Sequence, residues 1–222
     1  MKLRLSPLPD ADNGSYGFGA QVHGVDVAAV AQQASDDEDG GIRAAMLRAM
    51  HEHGLLLFRG QNLTDEQFVR FCRNFGDLEI LPEPEKRHPV YPEIFNLSNV
   101  KPDGSLPHPD EPQAVFLRGT SRWHTDSSFR DVPCLATVLY AITVPPEKGD
   151  TLFANMIAAY DSLGEDERRE LENRQVVHSY AYSRSANPGK LEPMSAEELA
   201  RVPDVTHPMV RQHADGRRSV FL

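Results

Sequence analysis

The sequence predicts either an α+β fold or a β-sandwich decorated with helices. Helical and strand patterns are mixed in the first part of the chain, and strand patterns dominate the later part. No glycine-rich phosphate loop follows a predicted strand, so neither a P-loop nor a dinucleotide-binding fold is supported. With 222 residues and no clear linker, a single domain over residues 1–222 is expected.

The first half of the chain gives mostly local signals. Residues 17–27 predict a strand and turn, and residues 42–53 carry apolar side chains at helical spacing before a stop at Gly54. The apolar run 55–58 predicts a buried strand. The segment 64–67 has the pattern of a capping box, so a helix is expected to begin there.

The second half begins with a long region, residues 82–112, that is rich in proline, charge and turn residues. Loops of this length in compact domains are usually functional or disordered. The later elements are predicted as strands at 94–98, 135–144 and 175–182, helices at 157–163, 165–173 and 195–201, and a hairpin over 207–222. Among the strands, 135–144 has the strongest pattern.

Composition excludes several classes of function. The net charge of −10 argues against nucleic-acid binding, which needs clustered Lys and Arg. No apolar run of 18 or more residues predicts a membrane helix, and prolines interrupt the short apolar stretch at the N-terminus, so no signal peptide is predicted. Cys72 and Cys134 lie far apart, which fits a reduced, cytoplasmic setting and argues against a disulfide framework.

The segment 123–129, Trp-His-Thr-Asp-Ser-Ser-Phe, carries the main candidate chemistry. His124 and Asp126 are two positions apart, so on an extended strand both side chains point to one face. An imidazole and a carboxylate are two of the three ligands of a 2-His-1-carboxylate iron site. A His-x-Asp pair alone is weak, and most such pairs are surface or packing residues. Zinc on the same ligands would favour hydrolysis.

Several segments together resemble the taurine dioxygenase / 2,4-dichlorophenoxyacetate dioxygenase family of iron(II)- and 2-oxoglutarate-dependent oxygenases. They follow the family's order and cover nearly the whole chain. They are His53–Arg59, Leu63–Gln67 with Phe75–Glu79, Trp123–Phe129, Pro145–Thr151 with Ala158–Asp161, and His207–Arg211 with Gly216–Arg218.

This resemblance implies a mainly β form of the α+β class: a double-stranded β-helix, or jelly roll, with flanking helices. It implies that His124 and Asp126 bind catalytic iron(II) and that the hydroxyl of Thr151 binds the carboxylate of 2-oxoglutarate. The implied reaction uses O2 to hydroxylate a C–H bond of a small organic substrate and releases succinate and CO2.

Substrate-binding residues follow less directly. His88 and Tyr91 resemble a segment of taurine dioxygenase whose histidine and tyrosine contact the substrate, although a plain surface turn is an equal alternative. The segment 127–129 leans instead toward the aryloxyalkanoate branch of the family. The substrate itself is left open.

The sequence departs from the family pattern near its end. In the family a distal histidine and then an arginine follow the late hairpin, whereas His207 and His213 lie within that hairpin. The third ligand is therefore missing, and we expect a chain that is truncated at its C-terminus and lacks its last strands. The alternative is a non-catalytic jelly-roll relative that acts as a binding protein. Whether the chain forms a homo-oligomer is left open.

Overall fold

The computed structural model describes residues 2–8, 17–32, 41–101, 103–111, 114–115, 117, 122–186 and 193–222. The chain divides into two compact units, and each unit is built from two separate stretches. Unit 1 comprises Met1–Asn96 and Val138–Asn155, and unit 2 comprises Leu97–Thr137 and Met156–Leu222. The single domain expected from the sequence stays a prediction. Among the described residues, no helix is long and apolar enough to cross a membrane.

A small mixed sheet forms one side of unit 1. Its strands are β1 (Arg4–Pro7), β2 (Ala20–His23) and β3 (Leu56–Phe58). β1 pairs antiparallel with β2, and β2 pairs parallel with β3, with Ala20 opposite Leu56. The strands predicted within 17–27 and 55–58 are thus confirmed, although β3 is only half-buried.

Three helices complete unit 1: α1 (Val27–Gln32), α2 (Ile42–His53) and α3 (Asp65–Arg73). The predicted bounds of α2 are confirmed, and the predicted capping box at α3 is present: the Thr64 hydroxyl accepts from the Gln67 amide, whose side chain accepts in return from the Thr64 amide. These helices enclose the core, which consists of Val27, Val30, Ala31, Met46 and Phe71. The amphipathic faces therefore meet around one apolar cluster.

Among its described residues, unit 2 contains several helices and two strand pairs. The helices are α4 (Met156–Asp161), α5 (Glu165–Glu172), α6 (Tyr180–Ala186) and α7 (Ala196–Arg201). The strands are β4 (Gln175–His178), β5 (Val205–Pro208), β6 (Val210–Gln212) and β7 (Arg218–Val220), paired antiparallel as β4 with β5 and β6 with β7. The predicted helices α4, α5 and α7 and the β6–β7 hairpin are confirmed.

The interior of unit 2 contains a cluster of three rings. His178, His207 and Phe221 lie 5.0–5.5 Å apart between ring centroids. His178 is buried, and its Nε2 has no hydrogen-bond partner among the described residues. Burial, and secondarily the nearby His207, lowers the pKa of His178. The cluster therefore favours a neutral His178.

Three strand predictions are wrong or only partly right, which leaves the described residues with more helix than strand. Residues 135–144 form no strand, residues 94–98 form only a single bridge through Phe95 to Arg87, and the strand at 175–182 stops at His178 before α6. A β-strand needs a neighbour to pair its backbone groups. Without one, Ile142 is 82% exposed, and the segment is anchored mainly by the Tyr140 hydroxyl, which accepts from the Leu63 amide at 2.9 Å.

Substitution of two glycines tests how closely the Phe18 ring packs against the end of α2 at Gly54. Gly54 and Gly60 both have positive φ, 70° and 67°, but only a Cβ at Gly54 would approach Phe18, at 2.9 Å. We expect Gly60→Ala to cost about 1 kcal/mol of unfolding free energy from backbone strain, since L-residues disfavour this region. Gly54→Ala should cost more, because the Phe18 ring must also move. Urea unfolding of both variants checks this, and equal losses would contradict the role given to Phe18.

The ring cluster predicts a pH dependence of stability. A histidine whose pKa is lowered on folding binds a proton less readily than it does in the unfolded chain. Its contribution to the free energy of unfolding therefore falls as the pH drops below about 6.5, the usual pKa of an unfolded histidine. We expect His178→Phe to lose less stability than the wild type between neutral pH and pH about 5.5. Unfolding free energies at both pH values measure the difference, with His108→Phe at an exposed site as control. An unchanged pH dependence in His178→Phe would refute the assignment.

Candidate metal centre

His124 and Asp126 meet in unit 2. The Nε2 atom of His124 lies 3.2 Å from Oδ1 of Asp126, and about half of each side chain is exposed to solvent. The two polar atoms therefore converge on one point at the surface of the unit. This is the pairing that the His-x-Asp spacing predicts.

The backbone that brings the two side chains together differs from the expected strand. Residues 123–125 belong to no strand, and a turn over 126–129 begins at Asp126. The turn is closed by the Arg130 amide, which donates to the Ser127 carbonyl at 3.1 Å. Ser127 is buried and has a φ of 53°, a conformation that non-glycine residues rarely adopt. The turn, not a pleated strand, thus sets the direction of Asp126.

Two hydrogen bonds orient the pair from behind. The Nδ1 atom of His124 lies 2.7 Å from the Arg122 carbonyl oxygen, so Nδ1 carries the proton and donates it. The Thr137 hydroxyl donates to Oδ2 of Asp126 at 2.9 Å. These bonds leave Nε2 and Oδ1 as the atoms that face each other. Histidine ligands of metals are held in the same way, by a donor bond from the other ring nitrogen.

The pair is strongly coupled electrostatically. The hydrogen bond with Asp126, helped by the Arg122 carbonyl, raises the pKa of His124 to about 9. The same bond lowers the pKa of Asp126, and Thr137 lowers it further. At neutral pH a protonated His124 therefore faces an ionised Asp126, and the proton on Nε2 lies between them. A metal ion bound there would replace that proton.

The turn is fixed on its far side by β5 and α6. His207 Nε2 lies 2.9 Å from the Arg130 carbonyl oxygen, and the Phe129 ring contacts Tyr180 at 4.8 Å between centroids. The Arg130 guanidinium lies over the Phe129 ring. The segment after Asp126 is thus held by β5 and α6, although it belongs to no regular element.

A second His-x-Asp pair in unit 2 shows what the motif alone does not provide. His108 and Asp110 are more exposed, and their contact runs from Nδ1 to Oδ2 at 3.5 Å. That Nδ1 also accepts from the Asp110 backbone amide at 3.3 Å, so it cannot donate to the carboxylate. The spacing is the same in both pairs, whereas the backing hydrogen bonds distinguish His124 and Asp126.

The donor set fits a divalent metal. Nitrogen and oxygen ligands at about 2.1 Å that meet at a right angle lie about 3.0 Å apart, close to the observed 3.2 Å. One imidazole and one carboxylate suit iron, manganese or zinc. In the part of the chain that the structure describes, no group of three or more His, Cys, Asp or Glu is placed to hold a metal. His207 and His213 bond elsewhere, His213 Nε2 to the Ser219 hydroxyl at 2.9 Å.

The other predicted site residues belong to unit 1. Thr151 is exposed and lies in no regular element. His88 and Tyr91 stack with 5.7 Å between ring centroids, and Nδ1 of His88 accepts from the Tyr91 amide. The other nitrogen of His88 lies 3.4 Å from the carboxylate of Asp65. The structure therefore brings His88 and Tyr91 together in a turn, and the ligand roles of all three residues stay predictions.

Sequence reasoning missed two groups of this centre. The Arg122 carbonyl is a backbone group and leaves no residue-type signal. Thr137 lies eleven positions after Asp126, inside a segment whose apolar pattern predicts a strand. Only the fold of the loop shows that its hydroxyl reaches the carboxylate.

Comparison with known proteins places the chain in a family. Residues 5–222 match the family described as "Taurine catabolism dioxygenase TauD, TfdA family". The chain is 38% identical over 179 residues to the alpha-ketoglutarate-dependent 2,4-dichlorophenoxyacetate dioxygenase of Cupriavidus pinatubonensis, an alignment that covers 79% of this chain and 62% of that protein. It is 35% identical over 228 residues to the (S)-phenoxypropionate/alpha-ketoglutarate-dioxygenase of Sphingobium herbicidovorans, covering 98% of this chain and 71% of that protein.

A solved structure gives the same result. The crystal structure of AAD-2 in complex with Mn(II) and N-oxalylglycine matches with a TM-score of 0.72 and 30% identity, and covers 100% of this chain and 71% of that one. The chain therefore spans about three fifths to seven tenths of these proteins. The match runs through nearly all of the chain, including the loop that holds His124 and Asp126, so the chain belongs to the TauD/TfdA dioxygenase family.

Proposed function

We propose that the chain carries the His-x-Asp half of an iron(II) centre in a 2-oxoglutarate-dependent dioxygenase. The observation that carries this proposal is the convergence of His124 Nε2 and Asp126 Oδ1, each backed by a hydrogen bond on its far atom. Family membership supports the choice of iron and 2-oxoglutarate over zinc hydrolysis. The full activity requires a third ligand in addition to these two.

When bound, iron(II) with 2-oxoglutarate and O2 supplies the oxidation that hydroxylates a C–H bond and releases succinate and CO2. The residues of this chain position the reactants. His124 offers Nε2 because its Nδ1 proton is held by the Arg122 carbonyl. Asp126 offers Oδ1 and compensates part of the ion's charge. The fixed turn after Asp126 keeps both donors in place.

Three further residues are given roles by the family resemblance. We assign the exposed hydroxyl of Thr151 to a hydrogen bond with the 2-oxoglutarate carboxylate. His88 and Tyr91 are assigned to substrate contact through their stacked rings, with the Tyr91 hydroxyl as the polar group because both nitrogens of His88 are engaged. The double-stranded β-helix is likewise a proposal, supported by the likeness to AAD-2.

The proposed substrate class is the aryloxyalkanoates. Relatives with 32–38% identity are named as dioxygenases of 2,4-dichlorophenoxyacetate or (S)-phenoxypropionate. Their sulfate-ester counterpart from Pseudomonas putida is 30% identical. Hydroxylation of the carbon beside the ether oxygen gives a hemiacetal, which breaks down to a phenol and a carbonyl compound.

Iron binding tests the metal centre. We expect an anaerobic titration of the chain with iron(II) and 2-oxoglutarate to give a visible charge-transfer band. His124→Ala and Asp126→Asn should abolish the band, because the first removes the donor nitrogen and the second replaces the anionic carboxylate with a neutral amide. The matched variants His108→Ala and Asp110→Asn change the other His-x-Asp pair and should keep it. If the band persists in Asp126→Asn, or if His108→Ala removes it as completely as His124→Ala does, the assignment of His124 and Asp126 as metal ligands is wrong.

Turnover tests the substrate class separately. With a third ligand supplied, incubation with iron(II), 2-oxoglutarate, O2 and 2,4-dichlorophenoxyacetate should release 2,4-dichlorophenol and succinate in equal amounts, with less succinate formed from taurine. The phenol is measured by its absorbance and the succinate by chromatography. If succinate forms faster with taurine than with 2,4-dichlorophenoxyacetate, the aryloxyalkanoate proposal is wrong, while the proposed iron centre is unaffected.

A further inference from the structure

The two carboxylate oxygens of Asp126 face different partners. Oδ1 lies 3.2 Å from His124 Nε2, on the side where the ion is proposed to bind. Oδ2 accepts the hydroxyl proton of Thr137 at 2.9 Å. The carboxylate is therefore divided into one atom for the metal and one atom for the protein. Thr137 is the residue that creates this division.

We propose that Thr137 is a positioning residue that holds Oδ2 of Asp126 and so reserves Oδ1 for the metal. This inference rests on the proposed iron centre and adds a residue to it. Thr137 does not touch the ion or a substrate and acts only through the carboxylate.

The physical need for such a residue follows from the exposure of Asp126. An aspartate side chain that is half-exposed rotates among its rotamers, and ordering it costs free energy. The hydroxyl of Thr137 removes part of that cost before the ion arrives. Because threonine is β-branched, its own χ1 angle is restricted, which makes it a stiffer support than serine.

The surrounding loop supports the same role. Cys134, three residues before Thr137, has its thiol 3.8 Å from the Asp126 backbone carbonyl, so this part of the chain lies next to Asp126. Residues 134–137 thus contact Asp126 twice, at its backbone carbonyl through Cys134 and at Oδ2 of its carboxylate through Thr137. Asp110 in the second His-x-Asp pair has its Oδ2 on the histidine instead.

Three variants separate positioning from packing. Thr137→Val keeps the shape and removes the hydroxyl, Thr137→Ser keeps the hydroxyl, and Thr143→Val makes the same change at an exposed site in unit 1. In the metal-free chain, NMR couplings about χ1 of Asp126 should show one dominant rotamer in the wild type and rotamer averaging in Thr137→Val. A single rotamer in Thr137→Val would overturn the proposal, whether or not the chain binds iron.

Metal affinity gives the second measurement. Mn(II) is titrated into the full 222-residue chain, and free Mn(II) is followed by its electron paramagnetic resonance signal. We expect Thr137→Val to weaken binding about 10-fold, as loss of a residue that orients a ligand does, with Thr137→Ser and Thr143→Val close to wild type. Equal losses in Thr137→Ser and Thr137→Val would refute the role of the hydroxyl. Failure of the charge-transfer band with intact Mn(II) binding would instead count against the 2-oxoglutarate assignment alone.

Discussion

Extended backbone needs partners for its N–H and C=O groups, and a neighbouring strand is the regular way to supply them. Each sheet is short because its strands pair over three or four residues. Where no partner is present, as at residues 138–144, apolar side chains stay exposed despite a strong strand pattern. The segment that holds His124 and Asp126 also lacks a partner strand, since residues 123–129 pair with no strand. Its geometry therefore depends on a turn and on side-chain hydrogen bonds.

His124 and Asp126 are consequently held by a few specific contacts. Arg122 and Thr137 bond the far atoms of the two side chains, while His207 bonds the end of the turn through the Arg130 carbonyl. His207 in turn packs against His178 and Phe221. The interior of unit 2 is thus connected to the exposed pair through a short series of contacts.

The sequence predicts features whose causes are local. Gly54 ends α2 because it adopts a positive φ, and Thr64 begins α3 because its hydroxyl caps the first turn. The His-x-Asp spacing predicts that His124 and Asp126 meet. It predicts this for an extended strand, whereas the structure has a turn that begins at Asp126. The contribution of Thr137 depends on a loop of eleven residues that no periodicity describes. The strand predicted at 135–144 would need a partner to pair its backbone groups, and no described strand lies beside it.

The half-exposure of His124 and Asp126 has a consequence for rates. An ion bound as proposed would reach Nε2 and Oδ1 directly from solvent, because about half of each side chain is exposed. It would have to replace the proton between the two groups, and only two protein bonds would oppose its departure. Ion exchange at the proposed centre would therefore need no opening of the fold. Long residence would come from whatever additional ligands close over it.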